Sequence, residues 1–164
     1  MVSPVIPIAL AVGFALGGVF VAWSYSSPRE YLKHVPQESL LSPLGLICYS
    51  HEKLAQLQPS PPDKAVTLFS VLRLDHTQLP FYPADDCAYP YSPNYYLAKA
   101  AISNAWLEIT DAHDGSMVMW RDVFAAAAAT LLNDTSRVVY MKEILPKMEA
   151  TKGDAERVWR DICA

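Results

Sequence analysis

Met117–Leu132 reads MVMWRDVFAAAAATLL, and its five consecutive alanines, Ala125–Ala129, decide how the rest of the chain is read. Alanine has the highest helix propensity and very little bulk. A helix built this way lets other helices approach closely on more than one side. No Gly or Pro interrupts the stretch. It predicts a mainly α fold, assembled from helices packed on helices.

Working outward, the neighbouring segments carry helix punctuation. Upstream, Ser92-Pro93 supplies a cap and a first-turn proline ahead of Asn94–Asp111, which has no breaker. Tyr95, Leu97, Ala98, Ala101, Ile102, Ala105, Trp106 and Ile109 fall on a wide apolar face at helical spacing. Asp114-Gly115-Ser116 marks the turn between the two helices. Downstream, Asn133-Asp134-Thr135 caps a helix over Ser136–Leu145, which Pro146 kinks or ends. Gly153-Asp154 then caps Ala155–Cys163. Trp106, Trp120 and Trp159 sit at helical positions as core or interface anchors, and Trp106 is the one expected to contact a partner.

Before these helices lies Gln78–Asn94, QLPFYPADDCAYPYSPN, with four prolines and four aromatic rings. Such composition predicts an irregular, extended segment, and its rings set it apart from a disordered linker. Loops of this length inside a domain are uncommon unless functional. The segment reads as a strap along a neighbouring subunit, with Tyr82, Tyr89 and Tyr91 as its docking rings.

Earlier still, Ser27-Pro28 opens a short helical segment carrying Glu30 to Val35, interrupted by Pro36. Ser42-Pro43 again pairs a cap with a first-turn proline, for a helix over Pro43–Gln58. Its stripe of Leu46, Ile47, Leu54 and Leu57 is broken by Ser50, His51 and Lys53. Pro59, Pro61 and Pro62 end it firmly. Lys64–Asp75, KAVTLFSVLRLD, is apolar on both faces, so a buried strand and a short buried helix fit nearly equally. No second strand is visible to pair with it, which favours helix.

The N-terminal Met1–Pro28 has no charged residue, whereas 13 Lys and Arg and 17 Asp and Glu fill the remainder. Val5–Tyr25, VIPIALAVGFALGGVFVAWSY, would span roughly 31 Å as a helix at about 1.5 Å per residue, the depth of a hydrocarbon core. It predicts a single-pass transmembrane helix with Trp23 and Tyr25 at the headgroup layer. A cleaved signal peptide would need a basic leader and a shorter apolar core. Ala9, Gly13 and Gly17 recur at four-residue spacing, and small faces of this kind let membrane helices approach closely. Gly13 and Gly17 are therefore expected at an interface. Arg29, Lys33 and His34 follow the anchor and place the folded part on the positive-inside face.

The four regions are thus an anchor at 1–28, juxtamembrane helical segments at 29–77, the strap at 78–94 and a helical C-terminal region at 95–164. A formal charge of −4 argues against a nucleic-acid partner. Cys48, Cys87 and Cys163 are widely spaced and odd in number, so reduced thiols are expected. No catalytic motif is present. The four histidines lie 17, 25 and 37 residues apart, without the spacing that sets two ligands on one helical face. Asp111-Ala112-His113-Asp114 and Asp85-Asp86-Cys87 hold ligand-type side chains but read as a helix end and a solvated turn.

These observations predict no enzyme, no metal and no cofactor beyond a bound lipid. They point to a non-catalytic, single-pass accessory subunit of an energy-converting membrane complex, with other subunits and lipids as its partners. The expected place is the mitochondrial inner membrane, in the respiratory chain or ATP synthase, with the folded part on the matrix side. A thylakoid photosynthetic complex and a membrane-tethered adaptor are the alternatives.

Overall fold

The computed structural model describes residues 29–57, 66–111, 118–151 and 155–164. The anchor with Gly13 and Gly17, and the stretch holding His113 and Asp114, lie outside the described residues. Among the described residues the chain is helical and contains no strand, and no helix is long and apolar enough to cross a membrane.

Two 3-10 segments, Arg29–His34 and Gln37–Leu41, come first, divided at Pro36 as expected. Then follow α1 (Pro43–Leu57), α2 (Leu68–Val71), α3 (Pro93–Asp111) and α4 (Val118–Leu132). Next, α5 (Asp134–Val139) runs through a π turn at Tyr140–Ile144 into α6 (Leu145–Ala150), and α7 (Ala155–Cys163) closes the chain. Both Ser-Pro starts hold: the Ser42 hydroxyl accepts from Gly45 N at 2.9 Å and the Ser92 hydroxyl from Asn94 N at 3.2 Å. Asn133 caps α5 by accepting from Ser136 N at 3.0 Å. Pro146 lacks an N–H to offer the turn before it. The chain meets it with the π turn, where Leu145 N reaches back to the carbonyl of Tyr140.

The alanine run makes α4 the central helix. Ala125–Ala129 are all buried, and α4 packs against α1, α2, α3, α5 and the first 3-10 segment. Close approach is most evident toward α1, where the Ser50 hydroxyl lies 2.9 Å from the Ala126 carbonyl and 2.7 Å from the Thr130 hydroxyl. Thr130 lies 3.2 Å from the carbonyl of Leu46. Ser50 and His51 therefore belong to the buried stripe of α1 with Leu46, Ile47 and Leu54, and do not interrupt it. A hydroxyl pair satisfied by carbonyls fits a helix contact too tight for leucines.

On α3 the buried positions are Tyr95, Ala98, Ile102, Ala105, Trp106 and Ile109. Leu97, expected on that face, is exposed because it sits about 100° from Ala98 around the helix. Of the two readings of Lys64–Asp75, the short buried helix is the one found. The described part of the segment forms one helical turn, α2, started by a capping box between Thr67 and Ser70. The turn ends in a Schellman motif, with Leu74 N donating to the Phe69 carbonyl at 2.9 Å and Arg73 N to the Ser70 carbonyl at 3.0 Å. Arg73 takes the left-handed position at φ 58°. Leu68, Phe69 and Leu72 enter the main core, each worth about 1.5–3 kcal/mol of burial.

The cysteines differ from expectation. Cys48 of α1 and Cys163 of α7 form a disulfide across 115 residues, and only Cys87 is free. Sequence spacing does not reveal this pairing, because it depends on α7 folding back across the chain onto α1.

Candidate functional site

The strap is fixed to the body of the protein from its inner side. Phe81 is 2% exposed and meets Phe69 edge-on, with ring centroids 4.9 Å apart. Cys87 is buried beside Met141, its sulfur 3.2 Å from the Ala84 carbonyl. Arg137 Nη2 donates to the Cys87 carbonyl at 3.3 Å, and Lys142 pairs with Asp85. The segment is irregular as expected, but the expectation that it is extended is corrected. Successive turns are closed by Phe81 N and Tyr82 N to the Gln78 carbonyl, Asp86 N to Pro83, Ala88 N to Asp85 and Ser92 N to Tyr89. The Leu79–Pro80 and Tyr82–Pro83 peptide bonds are cis.

The outer side of the same strap carries the rings. Tyr82, Tyr89 and Tyr91 are 64%, 59% and 94% exposed, and Leu79 is exposed with them. Tyr96 and Leu97, at the start of α3, add exposed apolar surface next in the chain. Single exposed apolar residues are ordinary, but six within Leu79–Leu97 are a feature to explain. Trp106 is placed differently from the expectation. It is buried in the chain's own core, edge-on to Tyr31 at 6.3 Å, because its face of α3 turns toward the first 3-10 segment and α4.

Beneath the strap lies a polar cluster that the sequence did not flag. Arg137 is fully buried, donates to the Leu131 carbonyl at 2.9 Å and to Asp134 at 3.1 Å, and lies 5.2 Å from the centre of the Tyr95 ring. Asp134 also accepts from the Tyr95 hydroxyl and from Lys99. Burial would raise the Asp134 carboxyl. The hydrogen bonds from Tyr95 and Lys99, with the charges of Lys99 and Arg137, outweigh it and hold the carboxyl below its ordinary value. Burial pushes the Cys87 thiol up against the opposing pull of Arg137, which leaves it a poor nucleophile. The cluster joins α3, α5 and the strap through a largely satisfied network, so its role is to position the strap.

A second feature is a groove of about 650 Å³ between α1 and α7, lined by Tyr49, His51, Glu52, Arg160 and the Cys48–Cys163 disulfide. Burial holds the His51 imidazole well below its ordinary pKa. Its ring stacks on Tyr140 at 5.9 Å. Among the described residues no three His, Cys, Asp or Glu side chains converge as a metal site. Asp85 and Asp86, the acidic pair in the strap, are engaged by Lys142 and Asn94. No protein family, curated protein or solved structure matches this chain.

Proposed function

We propose that this chain is a non-catalytic, single-pass accessory subunit of an energy-converting membrane complex, docked on neighbouring subunits through the outer side of the strap. One observation carries the reading: the strap is divided. Phe81 and Cys87 hold its inner side in the core, while Tyr82, Tyr89 and Tyr91 project their rings outward. Rings held on an anchored backbone lose little further chain entropy on docking. Tyrosine suits such a surface, because it combines a large apolar ring with a hydroxyl able to reach polar groups at the rim.

The anchor Val5–Tyr25, with Gly13 and Gly17 toward another membrane helix, supplies the membrane half of the proposal. Its long uncharged apolar run suits the anchor of an inner-membrane subunit, and we assign it to the mitochondrial inner membrane. For orientation, a disulfide favours an oxidising compartment. That carries more weight than the few basic residues after the anchor, so we place the folded region on the intermembrane-space side and not in the matrix.

The test is a tagged full-length chain extracted in mild detergent and resolved on a native gel. The wild type is expected to comigrate with a large complex at fixed stoichiometry. The triple variant Tyr82→Ala, Tyr89→Ala, Tyr91→Ala should fold normally yet run free of it, each anchor contributing about 1–3 kcal/mol. Undiminished incorporation of that variant would overturn the strap as the docking surface. Migration of the wild type alone would overturn the subunit reading.

A further inference from the structure

The Cys48–Cys163 bond ties the short helix α7 to α1, and its Cys163 end is exposed. Among the described side chains of α7, Val158 is the one buried and Ile162 is partly buried. Arg157, Arg160, Asp161 and Cys163 are exposed. The helix packs on α1 and α6. Nine residues are too few for a helix to persist by itself, since isolated helices shorter than about 12–15 residues are marginal in water. The main core, from Ile47 through α2, α3, α4 and α6, closes around α4, and among the described side chains of α7 Val158 enters it and Ile162 packs against it.

We propose that this disulfide is a redox-operated clasp, which holds α7 over the α1 groove and releases it when a dithiol reductant opens the bond. The reaction is ordinary exchange. A thiolate of the reductant attacks the Sγ of Cys163, the more exposed residue of the pair, and the S–S bond breaks with Cys48 leaving as a thiolate that takes a proton from water. The second thiol of the reductant then attacks the mixed disulfide, Cys163 leaves, and the reductant closes into its own disulfide. Two electrons pass from the dithiol to the protein, which ends with two thiols. The groove, lined by Glu52, Arg160 and both cysteines, gives the incoming thiolate its path.

Reduction then has a local consequence. With the bond gone, α7 leaves α1, the groove opens toward His51, and the apolar edge of α7 at Val158 and Ile162 becomes available. Cys87 takes no part, because it is buried against Met141 on the opposite connection, between the strap and the π turn. The clasp differs from a global staple in that its opening leaves the α4-centred core in place.

The experiment is hydrogen exchange on the full chain in mild detergent, before and after treatment with dithiothreitol or a thioredoxin-class dithiol protein. Peptide mapping without reductant first locates the Cys48–Cys163 bond. Reduction is expected to accelerate exchange across residues 155–163 at least tenfold, leave α3 and α4 unchanged, and be reversed by reoxidation. Iodoacetamide should then label Cys48 and Cys163 but not Cys87. A Cys163→Ser chain should match the reduced wild type without any reductant. Unchanged protection of α7 after reduction, loss of protection throughout the chain, or absence of the bond in the oxidised protein would each overturn the clasp. None of these readings depends on how the strap docks.

Discussion

Arg137 Nη2 donates to the main-chain carbonyl of Cys87 at 3.3 Å, so a residue of α5 holds the middle of the strap from beneath. The same guanidinium serves the Leu131 carbonyl and Asp134, while its buried Nε meets no acceptor among the described residues. Such a group is retained for what it positions, since its burial is costly. Replacing Arg137 with Met leaves two buried carbonyls without a donor. Asp134 is partly exposed and keeps Lys99 and Tyr95, so losing its ion pair adds little. The expected cost is about 2–4 kcal/mol by urea titration, with faster amide exchange across residues 84–88. Arg137→Lys should not rescue it, because one ammonium cannot reproduce the planar fork. A strap equally protected in Arg137→Met would show that Phe81, Cys87 and the Lys142–Asp85 pair hold it without the guanidinium.

The contact of α1 with α4 offers a sharper test of the alanine run. Ser50 lies within hydrogen-bond reach of the Ala126 carbonyl, which leaves no room for a larger side chain between the two helices. Ala126→Leu is expected to push α1 away and destabilise the fold by about 1–3 kcal/mol, although leucine is itself a good helix former and more apolar. A stabilised variant would mean that the interface is looser than the hydroxyl pair implies.

The helix starts at Ser42-Pro43 and Ser92-Pro93 were legible because a cap and a first-turn proline are local chemistry. The alanine run was legible for a related reason: small bulk over several residues can only serve close packing. Which strap rings turn inward was not legible. Phe81 and Tyr82 are adjacent, the segment has no period, and the choice is made by Phe69, a contact set by the tertiary fold. The Arg137 cluster was hidden likewise, since it gathers Tyr95, Asp134 and a strap carbonyl that no spacing rule connects. Ser50 and His51 misled in a different way. In the sequence they look like polar interruptions of a stripe, yet a tight helix contact and a ring stack give each a place inside.

Arg73 carries the strained position of α2. It completes the Schellman motif at φ 58°, a conformation that costs an L-residue about 1–2 kcal/mol. Glycine removes this cost but loses more chain entropy on folding, roughly 0.5–1 kcal/mol. The Arg73 side chain is exposed. Arg73→Gly should therefore stabilise the protein by about 0.5 kcal/mol, read as a higher urea midpoint with unchanged slope. A fall in the midpoint would show that the arginine side chain contributes more than its backbone strain costs.

The last expectation concerns acid stability and rests on His51. Its ring is buried against Tyr140, and desolvation lowers its pKa well below 6.5. In the unfolded chain the same imidazole takes a proton near its ordinary value, whereas in the native state it stays neutral until the pH is far lower. Below about pH 6.5 the unfolded state thus binds more protons, so stability falls as the pH drops, with a slope approaching 1.4 kcal/mol per unit. The loss should level off only beneath the depressed native value. His51→Phe keeps an aromatic ring beside Tyr140 and removes the titration. Urea unfolding of both proteins between pH 7.5 and 5, at about half-unit steps, isolates the contribution, because every other titrating group is common to the two. The difference in stability between wild type and variant should be constant above pH 7 and shift steadily against the wild type below pH 6.5. Parallel curves over the whole range would mean that His51 accepts its proton in the folded chain as readily as in the unfolded one. The ring would then lie in a wetter place than its packing against Tyr140 indicates.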